Sequence, residues 1–172
     1  MARRTVRAAL AGLALAVIGI SGANAQGAPK LVKQFGDWGV YVDTSGPGKI
    51  CYALSQPKTR LPAGLKRDPA YFFISTRTAE NVKGEVSVIM GFALKEGTDA
   101  TLTIGTTSFE LYTRGTGAWV RNVAEETRLV DAMRKGRDVV VKGTSVRGNV
   151  TTDTYSLNGI SGAVDRAAQE CR

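Results

Sequence analysis

Apolar and polar positions alternate with period two along most of the chain, in short runs broken by Gly, Pro, Asn and Asp. Such alternation predicts half-buried strands, because successive side chains on a strand point to opposite faces. Residues 35–42 put Trp38, Val40 and Val42 on one face, and 43–48 read as a turn. Residues 50–56 follow, with Cys51, Ala53 and Ser55 sharing a face. The segments 71–77 and 85–94 predict strong strands, the second carrying Val86, Val88 and Met90 on one side. Residues 101–104 and 108–113 predict a hairpin around Gly105-Thr106-Thr107, and Trp119-Val120 a short strand. A second hairpin is predicted from 138–146 and 149–157 through Arg147-Gly148.

Two stretches switch to helical spacing. Asn122 is placed to cap the first helix, with Glu125 three residues on as its capping-box partner. Val123, Val130 and Met133 fall on one face, and Gly136 can stop the helix after Arg134 and Lys135. The second helix is predicted over 161–170, where Ile160, Val164, Ala167, Ala168 and Cys171 recur at helical spacing and aim Cys171 at the core. The fold class is therefore mainly β: a single-domain sandwich or barrel-like fold with two short flanking α-helices, the last at the C-terminus.

The N-terminal segment belongs to neither pattern. Arg3, Arg4 and Arg7 precede 13 uncharged, mostly apolar residues, and Ala23-Asn24-Ala25 supplies a small-x-small cleavage pattern. This is the order of a secretory signal, and 13 residues fall short of the roughly 20 that span a bilayer. Residues 1–25 are thus expected to be removed, 26–30 to form a flexible leader and 31–172 to form the domain. Losing Arg3, Arg4 and Arg7 lowers the formal charge from +8 to +5, with 20 basic against 15 acidic residues remaining. The expected location is the periplasm, with outer-membrane association or secretion as further destinations.

Export changes the meaning of the two cysteines, Cys51 and Cys171. An even count in an oxidising compartment favours a bridge, while two buried thiols or intermolecular pairing remain open. Their spacing fits neither a zinc site nor a C-x-x-C redox motif.

Little catalytic chemistry is available. The chain has no histidine, which excludes Ser-His-Asp and Cys-His catalysis and His-ligated zinc. Asp37, Glu85, Glu96, Asp99, Glu110 and Asp153 are candidate carboxylates by residue type alone, and no pattern brings two of them to one cleft. No cofactor, metal or nucleic-acid partner is expected. One segment stands out: 58–67 carries Lys58, Arg60, Lys66 and Arg67 with Leu61 and Leu65 around Pro62 and Gly64. It is read as an irregular loop offering an anionic-surface contact, or else as a solvated connection. Because none of the four cations looks buried, replacing all of them by Ser is expected to leave the melting temperature nearly unchanged.

Phe35-Gly36-Asp37-Trp38, then Lys49-Ile50-Cys51-Tyr52-Ala53-Leu54-Ser55-Gln56, resembles the opening of the invasion-associated locus B family. Met133-Arg134-Lys135-Gly136, the run from Thr151 through Ser156-Leu157-Asn158-Gly159, and 163–171 resemble its close. The resemblance implies an exported protein of a Gram-negative bacterium, named for a part in host-cell invasion, with no catalytic residues to carry over. Many relatives place a cysteine shortly after the tryptophan; Tyr41-Val42-Asp43 has none, which leaves Cys51 and Cys171 as the intramolecular pair. The first expectation is a monomeric, non-enzymatic protein binding an envelope or host-surface protein or an anionic glycan or lipid. A periplasmic inhibitor of the lysozyme-inhibitor type and a carboxylate-dependent glycan hydrolase are the alternatives.

Overall fold

The computed structural model describes residues 27–172, so the segment expected to be a secretory signal and the residue expected to become the mature N-terminus lie outside the described residues. Eleven strands are formed: β1 Lys30–Phe35, β2 Trp38–Asp43, β3 Ile50–Ser55, β4 Thr59–Leu61, β5 Tyr71–Arg77, β6 Val82–Ile89, β7 Ala100–Ile104, β8 Thr107–Arg114, β9 Gly117–Val120, β10 Asp138–Thr144 and β11 Val150–Ser156. Helix α1, Val123–Lys135, separates β9 from β10, and α2, Ile160–Glu170, closes the chain. All strands join one antiparallel sheet in the order β1-β2-β3-β5-β6-β9-β8-β7-β10-β11-β4.

The sheet is open at β1 and β4, yet its halves fold over one core. Phe72 of β5 meets Trp38 edge-on at 5.6 Å and Tyr155 of β11 at 5.4 Å, although five strands lie between β5 and β11 in the sheet. The Trp38 indole N–H donates to the Ser156 carbonyl at 2.9 Å, and the Asp37 N–H donates to the Asn158 carbonyl at 3.0 Å. The inner face follows the period-two reading: Trp38 and Val40, Phe72 and Ile74, Val86 and Val88, Val139 and Val141 are all buried.

Three local differences from the sequence reading have physical causes. Residues 35–42 form not one strand but the turn and second arm of a hairpin, because the chain reverses at Gly36 with φ +52°. A side chain there would meet the Asn158 carbonyl, with Cβ only 2.6 Å from its oxygen. The strand expected to reach Leu94 stops at Ile89, since the chain turns at Gly91 against the Asp68 carbonyl. The segment expected to be irregular contains β4, which pairs with β11 through Leu61–Thr152, Arg60–Asp153 and Thr59–Thr154.

Asn122 caps α1 as expected, its side-chain oxygen accepting the Glu125 N–H at 2.9 Å. Leu129 and Met133 are the buried contacts of α1, whereas Val123, expected on that face, is exposed in the first turn. The Glu126 carboxylate accepts the Val86 N–H beside the part of β6 that β9 does not pair. Burial raises the Glu126 carboxyl pKa above its ordinary value, against the opposing effect of that hydrogen bond. Replacing Asn122 with Ala should cost about 1 kcal/mol, which urea denaturation would show as an earlier midpoint at unchanged slope. An unchanged midpoint would mean that the cap contributes nothing.

Helix α2 buries Ile160, Ala163 and Ala167; Ala168, expected inward, faces solvent. Its C-terminal end is bonded to β3: Cys171 and Cys51 form a disulfide with Cα atoms 5.8 Å apart and a sequence separation of 120.

Candidate anionic-surface site

The four cations of 58–67 do not form one patch. Strand alternation decides the second, because in β4 Arg60 points inward while Thr59 and Leu61 point out. Arg60 is directly opposite Asp153, which lies on the inner face of β11 with Thr151 and Tyr155. Asp153 is fully buried. The Arg67 guanidinium, almost equally buried, donates to one of its carboxylate oxygens at 2.8 Å, and Arg60 Nε stands 3.6 Å from the other. Arg60 also donates to the Met90 carbonyl at 3.1 Å, and the Arg67 guanidinium lies 6.0 Å over the Phe92 ring. Burial and the nearby Asp153 charge push the Tyr155 phenol pKa upward, so it stays neutral.

Lys58 is exposed and ion-paired with Asp37 at 2.5 Å. Its hydrogen bond, with a second from Ser156, holds the Asp37 carboxyl below its usual pKa. Lys66 is exposed and makes no ion pair among the described residues. The expectation that all four cations are superficial is therefore corrected for Arg60 and Arg67, which fasten the loop to β11. The four-Ser variant would remove both cations that face buried Asp153 and destabilise the fold.

The structure adds residues that the sequence reading did not place in the site. The β10–β11 turn brings Val146, Arg147 and Asn149 against Leu65, Lys66 and Phe92, around a recess of about 360 Å³. Arg147 is exposed and, like Lys66, unpaired among the described residues. Val150 and Leu61 lie outward beside this end, on neighbouring strands. In sequence, Arg147 and Lys66 are 81 positions apart, and only strand pairing brings their loops together.

A larger hollow of about 770 Å³ lies between the β7–β8 turn and the end of α1. Its charges are mixed: Arg128, Lys135 and Arg137 line it together with Asp131 and Asp138, and Arg137 pairs with Asp138. The two carboxylates offset most of the positive charge, unlike the rim that carries Lys66 and Arg147.

The candidate carboxylates are dispersed. Asp37, Glu85, Asp99 and Asp153 each pair with a cation, respectively Lys58, Arg77, Arg121 and Arg67. Among the described residues no group of three His, Cys, Asp or Glu side chains could hold a metal ion.

A single antiparallel sheet curled over one core, with two flanking helices and a disulfide fastening the last of them, defines a small cystine-containing β protein. Residues 38–168 match the Invasion associated locus B (IalB) protein family, and the chain belongs to it. The crystal structure of invasion associated protein B from Bartonella henselae has a similar fold, with a TM-score of 0.56 at 18% identity, covering 82% of this chain and 98% of that one. No curated protein matches the chain significantly in sequence. Among the described residues no helix is long and apolar enough to cross a membrane.

Proposed function

We propose that this protein is an exported, non-enzymatic envelope protein that acts by contact, presenting the Lys66–Arg147 end to an anionic group on the envelope or a host-cell surface. The observation that carries the reading is the meeting of two exposed, unpaired cations from separate loops at the rim of one recess. Export is supported by the signal pattern of 1–25 and by the Cys51–Cys171 bridge. Host association is the part of the proposal that leans on the family's name.

Exposed charge contacts are individually weak and are screened by salt, so binding through this end is fast, modest in affinity and lost as ionic strength rises. Replacing Lys66 and Arg147 together with Ser should reduce low-salt association with lipopolysaccharide several-fold and leave the melting temperature unchanged, because neither side chain is buried. Sedimentation of the purified protein with lipopolysaccharide aggregates measures this. Parent-like binding by the double variant would refute the assignment.

A further inference from the structure

We infer that this same end inserts apolar side chains into a lipid bilayer that displays anionic headgroups. The inference rests on the proposed role of Lys66 and Arg147 and goes further, because it names the partner and adds a second kind of contact. Seven large hydrophobic residues are exposed among the described residues, and four of them gather here: Leu61 at 53%, Leu65 at 40%, Val146 at 61% and Val150 at 60%. They come from β4 and the loop after it, the β10–β11 turn and the start of β11. Scattered exposed apolar residues need no explanation, but Leu65 and Val146 on a recess with two free cations, with Leu61 and Val150 outward on the adjoining strands, do.

The arrangement fits a bilayer better than a protein. A stable protein interface needs roughly 1,000 Å² or more of complementary surface, whereas only four large apolar side chains among the described residues are exposed at this end. The apolar groups sit on loops and strand ends at one end of the sheet rather than along a groove. A bilayer requires only apolar side chains long enough to enter the interface and cations at headgroup depth. Lys66 adjoins Leu65 and Arg147 adjoins Val146, so each cation is next to an apolar side chain. The rim is not uniformly basic, since Asp68 is exposed one residue beyond Arg67. Charge alone therefore gives modest attraction, and apolar insertion must supply the rest.

The backbone at this end is held firmly enough to present these groups. Buried Asp153 draws Arg60 and Arg67 inward on either side of Leu61 and Leu65. In the facing turn the Ser145 N–H donates to the Asn149 carbonyl at 2.9 Å, and the Gly148 N–H to the Ser145 carbonyl at 2.8 Å.

The test uses the protein purified from the envelope and vesicles of phosphatidylcholine with or without phosphatidylglycerol. In the variant Leu65→Trp, the emission of the added indole should shift to the blue on phosphatidylglycerol vesicles. It should not shift on phosphatidylcholine alone or with inorganic phosphate. The variant carrying Leu61→Ser, Leu65→Ser, Val146→Ser and Val150→Ser should keep its melting temperature. It should also lose about tenfold or more in vesicle partitioning, since each exposed side chain that enters hydrocarbon adds favourable transfer energy. If vesicles bind in a Lys66- and Arg147-dependent way but the added indole of Leu65→Trp keeps its emission in water, insertion is overturned while the charged contact stands. A shift with inorganic phosphate alone would also overturn it, because the recess would then be a free-phosphate site. If the apolar variant partitions like the parent at every salt concentration, insertion is again refuted.

Discussion

Replacing Asp153 with Ala should destabilise the protein by about 3–5 kcal/mol, the range expected when one partner of a buried ion pair is removed. The reason is what remains. Arg67 has 5% of its side chain exposed, and without Asp153 its guanidinium stays buried with no anion to face. Arg60 loses the carboxylate opposite it in the β4–β11 pairing. At roughly 2–4 °C per kcal/mol for a chain of this size, the melting temperature should fall by about 10 °C. The intact pair need not itself be worth that much, because burying the charges offsets much of their attraction. Asp153→Leu combined with Arg67→Met should therefore recover a large part of the loss. A loss below about 1 kcal/mol in Asp153→Ala, by urea denaturation, would show that the buried charge is not what holds β4. Hydrogen exchange separates local from global effects, since β4 amides should lose protection before those of β5 and β6.

This network also shows where sequence reasoning stops. Strand β5 and both arms of the β10–β11 hairpin were readable, because each is a short run rich in aromatic or β-branched residues. Helix α1 was readable from Asn122, Glu125 and the closing Arg134-Lys135-Gly136. The β1–β2 reversal was not, because a two-residue turn at Gly36-Asp37 leaves the alternation intact and only the glycine marks it. Strand β4 is three residues long and carries Arg, rather than an apolar residue, on its inner face, so hydrophobic period gives no signal. A usable clue lay in β11, where alternation places Asp153 between Thr151 and Tyr155 on the buried face. A carboxylate there requires a cation. Finding that the cations are Arg60 and Arg67, 93 and 86 positions earlier, needs the sheet order. The same limit hid Arg147 and Val146 from the site, while Lys66 was visible within its own loop.

Removal of the disulfide is the other change with a large expected effect. Cys51 and Cys171, separated by 120 positions, close a loop that takes in most of the described chain. Chain-entropy treatment puts such a crosslink near ~5 kcal/mol, and measured losses for native bridges in small secreted domains fall at about 2–5 kcal/mol. The double variant Cys51→Ala, Cys171→Ala should lose stability within that range. Ala is chosen because position 51 is fully buried and a serine hydroxyl there would add a desolvation cost of its own. The effect should be uneven along the chain. Helix α2 buries mainly Ile160 and the small Ala163 and Ala167, so its packing contributes limited apolar area beyond the tether. Lys49 supplies a further tie by donating to the Glu170 carbonyl. Residues 164–170 should consequently exchange amide hydrogens far faster in the variant, or after reduction of the parent, while β5, β6 and β10 keep their protection relative to the global limit. The sheet core built on Trp38, Phe72 and Tyr155 is held by contacts in which neither cysteine takes part. The variant should therefore remain folded at room temperature with an earlier urea midpoint. A midpoint within error of the parent, with α2 equally protected, would show that the helix is held by packing alone and that the bridge adds nothing to stability.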